Sequence, residues 1–354
     1  MTPTATTPDP AEGAFVSPIP PRPPVPDIVF ATSVTPSDTS SSIVLDLPRG
    51  EQIRIGRIRV EAYDDIVYAT RDTDLGQRLE LALDLLVAQT EAAKPLVVYL
   101  TGGGFVISPK EGAAERRRYV AEAGYAVASV RYRTVMDGAT YADGVADVKS
   151  AIRFLRAHAA RYGIDPRRVA VWGESAGGYL AAMTGATSGI ERFEAADDPD
   201  CSSDVQAVVD LFGPSDLLSI AADFDQAAQR AHSAPGIPAA AYVFGPGAGG
   251  RALADDPAAV ALADPAAYVR PGTPPFLLFH GSLDTMVSPS QTLLLHTALR
   301  AQGVESTRYV LTGAGHGDLG FLGDPESGLP WTTRETMDRI VEFLDQTLKS
   351  PATR

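Results

Sequence analysis

Cysteine is almost missing from this chain. Cys201 stands alone among 354 residues, so no intrachain disulfide can form and no paired thiolates can hold a metal. Histidine is also scarce: the five residues do not cluster, and no H-E-x-x-H pair occurs. Metal-dependent hydrolysis is therefore without its usual ligands, and no metal is expected. No stretch approaches the ~20 continuous apolar residues of a membrane-spanning helix. Basic charge is outweighed, with 30 Lys and Arg against 44 Asp and Glu and a net charge of −14. A nucleic-acid surface needs clustered cations. The densest run here, Arg116, Arg117 and Arg118, reads as the solvated face of a helix. The first basic residue is Arg22, and no apolar segment follows it as in a secretory signal. These absences predict a cytoplasmic protein with no nucleic-acid or membrane partner; they leave self-association into a homo-oligomer open.

What is present suits a large core. Hydrophobic residues make up 45% of the chain, enough for one α/β domain with an insertion or for two small domains. The first 27 residues are rich in Pro, Thr and Ala. Pro18, Pro20, Pro21, Pro23, Pro24 and Pro26 exclude helix and central strand. Residues 1–50 read as a flexible arm, with an extended strap over the domain as the alternative, and residues 51–354 as the folded unit. From Gln52, Ile53, Ile55, Ile58 and Val60 alternate with polar residues and slip phase at Gly56, which predicts a strand with a bulge. Leu79, Leu81, Leu83 and Leu85 alternate in the same way. Both segments read as antiparallel strands at a sheet edge.

The texture then changes. Segments 95–100 (PLVVYL), 126–130 (AVASV), 169–172 (VAVW), 207–212 (AVVDLF) and 275–279 (PFLLF) are short apolar runs, the pattern of strands buried on both faces. Helical spacing lies between them: Val145, Val148, Ile152, Leu155 and Ala159, stopping near Gly163, and again over 293–299. The alternation predicts a mostly parallel, doubly wound sheet. One connection is far longer than the usual ~2–6 residues of an α/β link. Segment 213–273, rich in Ala, Pro, Gly and Asp, reads as a small inserted cap.

Gly173-Glu174-Ser175-Ala176-Gly177 carries the strongest chemical signal. It follows the apolar run 169–172 and precedes a helix-compatible stretch, as acyl transfer by an exposed serine on a sharp strand-to-helix turn requires. Ser175 is the candidate nucleophile. Thr101-Gly102-Gly103-Gly104-Phe105 directly follows the run 95–100. A glycine run can present N–H groups inward to an oxyanion, so Gly103 and Gly104, with the N–H of Ala176, form the candidate oxyanion hole. The spacing fits no phosphate loop. Among the histidines, His158 and His296 sit in helical patterns, His232 in the insertion, and His280 at a strand end where a structural hydrogen bond suffices. His316, in the loop GAGHGD after the strand 308–311, is the candidate base. Asp284, in His280-Gly281-Ser282-Leu283-Asp284, lies between serine and histidine in chain order and is the candidate acid. Asp318, two residues beyond His316, reads as a loop-ordering residue, and Glu174 as an anchor of the turn through buried hydrogen bonds or an arginine.

These elements in this order resemble the hormone-sensitive-lipase-like carboxylesterases, most closely the bacterial acetyl esterase and carbohydrate feruloyl/acetyl esterase branch. Segment 162–183 (YGIDPRRVAVWGESAGGYLAAM) carries the resemblance most specifically, with the Asp284 and His316 loops. It implies an α/β-hydrolase fold with an eight-stranded sheet under a small cap. It also implies no cofactor, and the roles already assigned to Ser175, Asp284, His316, Gly103, Gly104 and Ala176. One departure is Thr101, where the family usually has a histidine that helps to hold the oxyanion loop. A carboxylesterase for short acyl esters is the expected activity. A peptidase or amidase on the same fold and a non-catalytic ligand-binding relative are the alternatives; no large additional peptidase domain fits in this length.

Overall fold

The short apolar runs form the middle of one nine-stranded sheet. The computed structural model describes residues 29–349 apart from positions 48, 49, 74, 75, 77, 248, 249, 321, 322 and 325. The Pro-rich stretch 1–27 lies outside the described residues. The strands are β1 (Ile43–Leu45), β2 (Val60–Asp72), β3 (Arg78–Ala88), β4 (Lys94–Leu100), β5 (Ala126–Val130), β6 (Ile164–Glu174), β7 (Ala207–Leu211), β8 (Phe276–Gly281) and β9 (Ser306–Leu311). Their order across the sheet is β1-β9-β8-β7-β6-β4-β5-β3-β2. β2 and β3 pair antiparallel, as do β3 and β5, and every other pairing is parallel.

Strands β4, β5, β7 and β8 are buried along their whole length. Successive side chains enter opposite faces. Leu96, Val98, Leu100 and Val171 join one core, and Val97, Tyr99, Trp172 and Val209 the other. Helices cover both faces, as a parallel sheet requires. Helix Tyr141–Ala157 runs along the predicted stripe of Val145, Val148, Ile152 and Leu155, and a short turn of helix, Ala159–Tyr162, stops at Gly163 with φ +63°. No helix among the described residues is long and apolar enough to cross a membrane.

Three expectations need correction. The alternation from Gln52 does not form a strand: Gln52 makes only an isolated bridge to Thr333, and Ile55 and Ile58 are exposed. The Glu122 carboxylate accepts the Gly56 and Arg57 N–H groups at 2.6 and 2.9 Å, so these groups are unavailable to a ladder. The edge strand is β2 instead, and its irregularities lie between Tyr63 and Ile66 and between Val67 and Ala69. Secondly, the described residues form a sheet of nine strands rather than eight, because β1, inside the segment read as an arm, pairs with β9. Nor is the described part of that segment free. The Ala31 N–H bonds the Thr285 carbonyl at 2.9 Å, the Thr35 N–H bonds the Asp223 carbonyl at 2.7 Å, and Thr32 bonds Asp225. It is a strap. Thirdly, Arg116 and Arg117 are not on a solvated face; each is 5% exposed.

Segment 213–273 folds as short helices, Gln226–His232, Pro238–Phe244 and Pro257–Ala261, with single turns between them. Its apolar side chains do not make a core of their own. Ala240, Tyr242, Val260 and Ala263 are buried in the same cluster as Leu96 and Val171. The Tyr242 ring stacks on Phe105 at 4.9 Å between centroids, and Tyr179 donates its hydroxyl to the Ala263 carbonyl at 2.7 Å. Removing the buried ring by Tyr242→Ala should cost about 3–5 kcal/mol and leave a single unfolding transition. Calorimetry checks this; two separated transitions would make the insertion an independent unit.

Candidate active site

The parallel strands end on one edge of the sheet, and the residues singled out in the sequence lie in the turns beyond those ends. β6 runs into Ser175, whose backbone stands at φ 53°, ψ −124°, and helix Ala176–Ala186 begins at the next residue. A non-glycine residue in such a conformation costs about 1–3 kcal/mol. The surroundings hold it there. The Ser175 N–H bonds the Leu211 carbonyl at 2.9 Å, and its carbonyl accepts the Tyr179 N–H at 2.9 Å. The turn is too tight for side chains at its flanks: a Cβ on Gly173 would lie 2.1 Å from the Gly177 carbonyl oxygen, and one on Gly177 would lie 2.1 Å from that of Leu100.

His316 reaches the turn from the loop after β9. Its Nε2 is 2.8 Å from Ser175 Oγ and its Nδ1 is 2.7 Å from Asp284 Oδ2. This geometry fits a neutral imidazole that donates Nδ1–H to Asp284 and accepts the serine proton on Nε2. The Phe212 ring lies 4.7 Å from the imidazole, centroid to centroid. Asp284 is fully buried. Its Oδ1 accepts the Met286 and Val287 N–H groups, both at 2.9 Å, and its Oδ2 also lies 3.2 Å from His280 Nε2. Burial pushes this carboxyl up, but the neighbouring imidazoles of His316 and His280 outweigh it. They hold Asp284 well below the usual carboxylate range.

The glycine loop after β4 leans on the same turn. A Cβ on Gly102 would lie 2.9 Å from Ser175 Cβ. The Gly103 carbonyl accepts the Val106 and Ile107 N–H groups at 2.9 and 3.2 Å, and Gly104 and Phe105 both have positive φ. Thr101 Oγ1 is buried without a hydrogen-bond partner, so the side chain in the family's histidine position does not hold this loop. Tyr132 and Thr134 do: the Tyr132 hydroxyl donates to the Thr101 carbonyl at 2.7 Å and Thr134 Oγ1 to the Val106 carbonyl at 2.9 Å. Sequence reading missed both, because nothing local marks a side chain that acts on a loop about thirty positions away.

Beneath Ser175, Glu174 accepts hydrogen bonds of 2.5 Å from the Tyr99 hydroxyl and from Arg116 Nη2. Burial opposes the Arg116 charge, but Glu174 holds the guanidinium firmly protonated. Arg117 caps carbonyls of its own approach loop, Gly112 and Glu111. Asp318 bonds the Gly320 N–H at 2.9 Å and makes no contact with the imidazole. His158 bonds the Phe154 carbonyl, His296 bonds Ser306, and His232 lies against Phe224; all three are away from Ser175.

The sheet order and the turn at Ser175, with loops from β4, β8 and β9 converging on it, define an α/β-hydrolase fold. The chain belongs to the BD-FAE family, whose model matches residues 83–299. The model described as prolyl oligopeptidase family matches residues 251–351. A probable isoprenylcysteine alpha-carbonyl methylesterase of Oryza sativa subsp. japonica is 29% identical over 261 residues, 73% of this chain and 59% of the relative. Esterase LipC of Mycobacterium tuberculosis is 29% identical over 73% of this chain and 60% of its own length. The chain thus spans about three fifths of these relatives. Among solved structures, a truncated carbohydrate esterase from gut microbiota superposes with a TM-score of 0.68 at 24% identity, covering 82% of this chain and 97% of that one; it speaks for the fold alone. An esterase of Thermogutta terrifontis gives a TM-score of 0.60 at 25% identity, covering 85% and 99%.

Asp210, at the end of β7, touches the turn from behind. Its Oδ1 accepts the Gly213 N–H at 2.8 Å, its Oδ2 has no partner, and a Cβ on Gly178 would lie 2.3 Å from Oδ1. Burial pushes its carboxyl up to about 7 against that hydrogen bond. The unfolded chain releases this proton near the ordinary 3.8, so the stability it contributes is full below that pH and is lost as pH rises to about 7. Asp210→Asn should remove this decline. Urea midpoints from pH 4 to pH 8 check it: the variant should gain on the parent as pH rises, and a constant difference contradicts the assignment.

Proposed function

We propose that this protein is a serine carboxylesterase that cleaves short-chain acyl esters through an acyl-enzyme intermediate. The observation that carries the reading is the continuous chain Ser175 Oγ–His316–Asp284, with 2.8 and 2.7 Å links, on a turn that leaves the serine only half-buried. Ser175 Oγ attacks the ester carbonyl as its proton passes to His316 Nε2. The N–H groups of Gly103, Gly104 and Ala176 stabilise the oxyanion; losing one such donor costs about 3–4 kcal/mol of barrier. The intermediate collapses, His316 returns the proton to the leaving alcohol, and water repeats the sequence on the acyl-enzyme. Asp284 remains ionised throughout and stabilises the imidazolium. The named activities of the relatives, methylesterase and esterase, support the reaction class. In this reading residues 51–354 act as one hydrolase unit, 213–273 caps the site, and the described residues before position 51 strap it. Cys201, half-buried and unpaired, suits a reducing compartment, and the proposal extends to action in the cytoplasm.

A second reading, peptidase or amidase, draws on the prolyl oligopeptidase match, which contains Asp284 and His316. Turnover of matched ester and amide substrates separates the two. Ser175→Ala should abolish turnover and covalent labelling by a fluorophosphonate while leaving the thermal transition in place. Labelling that persists in the variant would remove Ser175 from the mechanism.

The insertion argues for small acyl groups. Its large apolar side chains are spent on the core: Tyr242, Val243 and Val260 are buried, and Leu218 and Leu262 are the large apolar residues it exposes among the described positions. A long acyl chain gains ~0.8 kcal/mol per buried methylene only where a trench receives it. Acetyl to butyryl esters should be preferred, with acetylated or feruloylated carbohydrates as candidate natural substrates. Values of kcat/KM on p-nitrophenyl esters should therefore fall beyond the butyrate; a maximum at long chains with activation at an oil–water interface would make the protein a lipase.

A further inference from the structure

Behind Asp284 a buried line of polar groups runs away from Ser175, and the proposed mechanism uses none of it. His280, Thr292 and Arg308 are 0, 0 and 1% exposed. His280 Nε2 lies 3.2 Å from Asp284 Oδ2, the oxygen that also meets His316, and 3.0 Å from the Val287 carbonyl. Its Nδ1 is 3.0 Å from Thr292 Oγ1. Arg308 Nε donates to the same Thr292 oxygen at 3.0 Å, Nη1 to Ser42 Oγ at 2.7 Å, and Nη2 to the Pro289 carbonyl at 2.7 Å.

The donor and acceptor capacities of these groups fix the Arg308 and Nε2 bonds and, for a neutral His280 ring, the bond at Nδ1 as well. A guanidinium only donates and a carbonyl only accepts. Thr292 Oγ1 must therefore accept from Arg308, and its own hydrogen is directed to His280 Nδ1. His280 Nε2 faces two acceptors, Val287 and Asp284, so that nitrogen carries the hydrogen. Burial pulls Arg308 down to about 10, with Asp223 and Asp38 opposing, which keeps it a donor at neutral pH.

We propose that His280 is a positioning residue for Asp284, and that Arg308 acting through Thr292 sets which of its nitrogens donates. The proposal rests on the reading of Asp284 as the acid of a serine hydrolase. With His280 in place, Asp284 receives three donors, two backbone N–H groups on Oδ1 and His316 on Oδ2; a second imidazole stands 3.2 Å from Oδ2 and bonds the carbonyl of Val287, the residue whose N–H is one of the two on Oδ1. The second imidazole fixes the carboxylate plane and draws charge from the oxygen that faces His316. Without it, Asp284 would hold the His316 imidazolium more tightly, and the base would be freed only at higher pH. Other charged groups on the line or its flanks are Arg308, then Asp223 and Asp38 beyond it, and Asp318 on the His316 loop.

Two measurements on the full chain test this. Nitrogen NMR of histidine-labelled protein should find His280 in the Nε2–H form; the Nδ1–H form would overturn the proposal, whether or not any ester is turned over. In kinetics, the near-isosteric Thr292→Val removes the hydroxyl that orients His280. It should lower kcat/KM at neutral pH by on the order of tenfold and displace the acidic limb of the profile to higher pH. Thr292→Ser should restore both. A structural defect alone lowers the active fraction, which fluorophosphonate titration counts, and leaves the limb in place. A Thr292→Val profile that matches the parent per labelled site overturns the proposal. Failure of the parent to label or to cleave any ester sinks the esterase reading instead, and the NMR result still decides the place of the proton.

Discussion

The strained, positive-φ backbone at Ser175 is the constraint to which the surrounding structure answers. It aims the serine oxygen away from the sheet, and it persists only because neighbouring chain leaves no alternative. Leu100 at the end of β4 pairs with Gly173, and this parallel register brings the Leu100 carbonyl against Gly177. β7, on the other side of β6, supplies the Leu211 carbonyl for the Ser175 N–H. The two strands flanking β6 thus clamp the turn, and its strain of about 1–3 kcal/mol is met by contacts that reach across the sheet. A sheet with β6 at its edge would lack one side of this clamp.

Two of the buried carboxylates around that turn, Glu174 and Asp284, are treated differently. Glu174 is matched by a full opposite charge, Arg116, and by the Tyr99 hydroxyl. Removing one member of such a pair leaves an uncompensated buried charge, so the pair anchors the segment that precedes Ser175. Asp284 has no cationic arginine or lysine against it; it is held by backbone N–H groups and two imidazoles. In the proposed mechanism a permanent cation there would neutralise the charge that His316 needs as it becomes an imidazolium. Dipoles and neutral rings hold the carboxylate in place while leaving its charge for His316.

The sequence revealed features encoded locally. The five apolar runs lie in buried strands because both faces are covered, and such strands have no alternation to disguise. The strand–turn–helix at Ser175 was legible because its glycines are spaced by the geometry of one turn. What escaped depends on distant partners. Arg116 finds Glu174 58 positions away, and three consecutive arginines look like a wet helix face until that partner is known. The alternation from Gln52 to Val60 has the right residues for a strand, but Glu122 captures its N–H groups. β2 was missed because its burial alternates irregularly around two breaks in register. His280 was read as a structural residue, and its contact with Asp284 arises only because the loop after β8 turns back on the strand end.

Thr101 shows how the same separation of local and distant causes bears on the glycine loop after β4. A histidine before the glycines can hold such a loop from within, whereas Thr101 Oγ1 meets no partner. The restraint comes from outside: Tyr132 and Thr134, both just beyond β5, bond the Thr101 and Val106 carbonyls that bracket the glycines. Phe105 is then fixed by rings on two sides, Tyr242 stacked on it and Tyr179 edge-on at 5.5 Å. Tyr179 belongs to the helix that starts at Ser175, and Tyr242 belongs to the insertion. The loop's position is therefore set jointly by the strand beside it, the helix behind the serine and the insertion above. That dependence explains how position 101 can lose the family's histidine without freeing the loop, and it makes the insertion part of the glycine loop's scaffold.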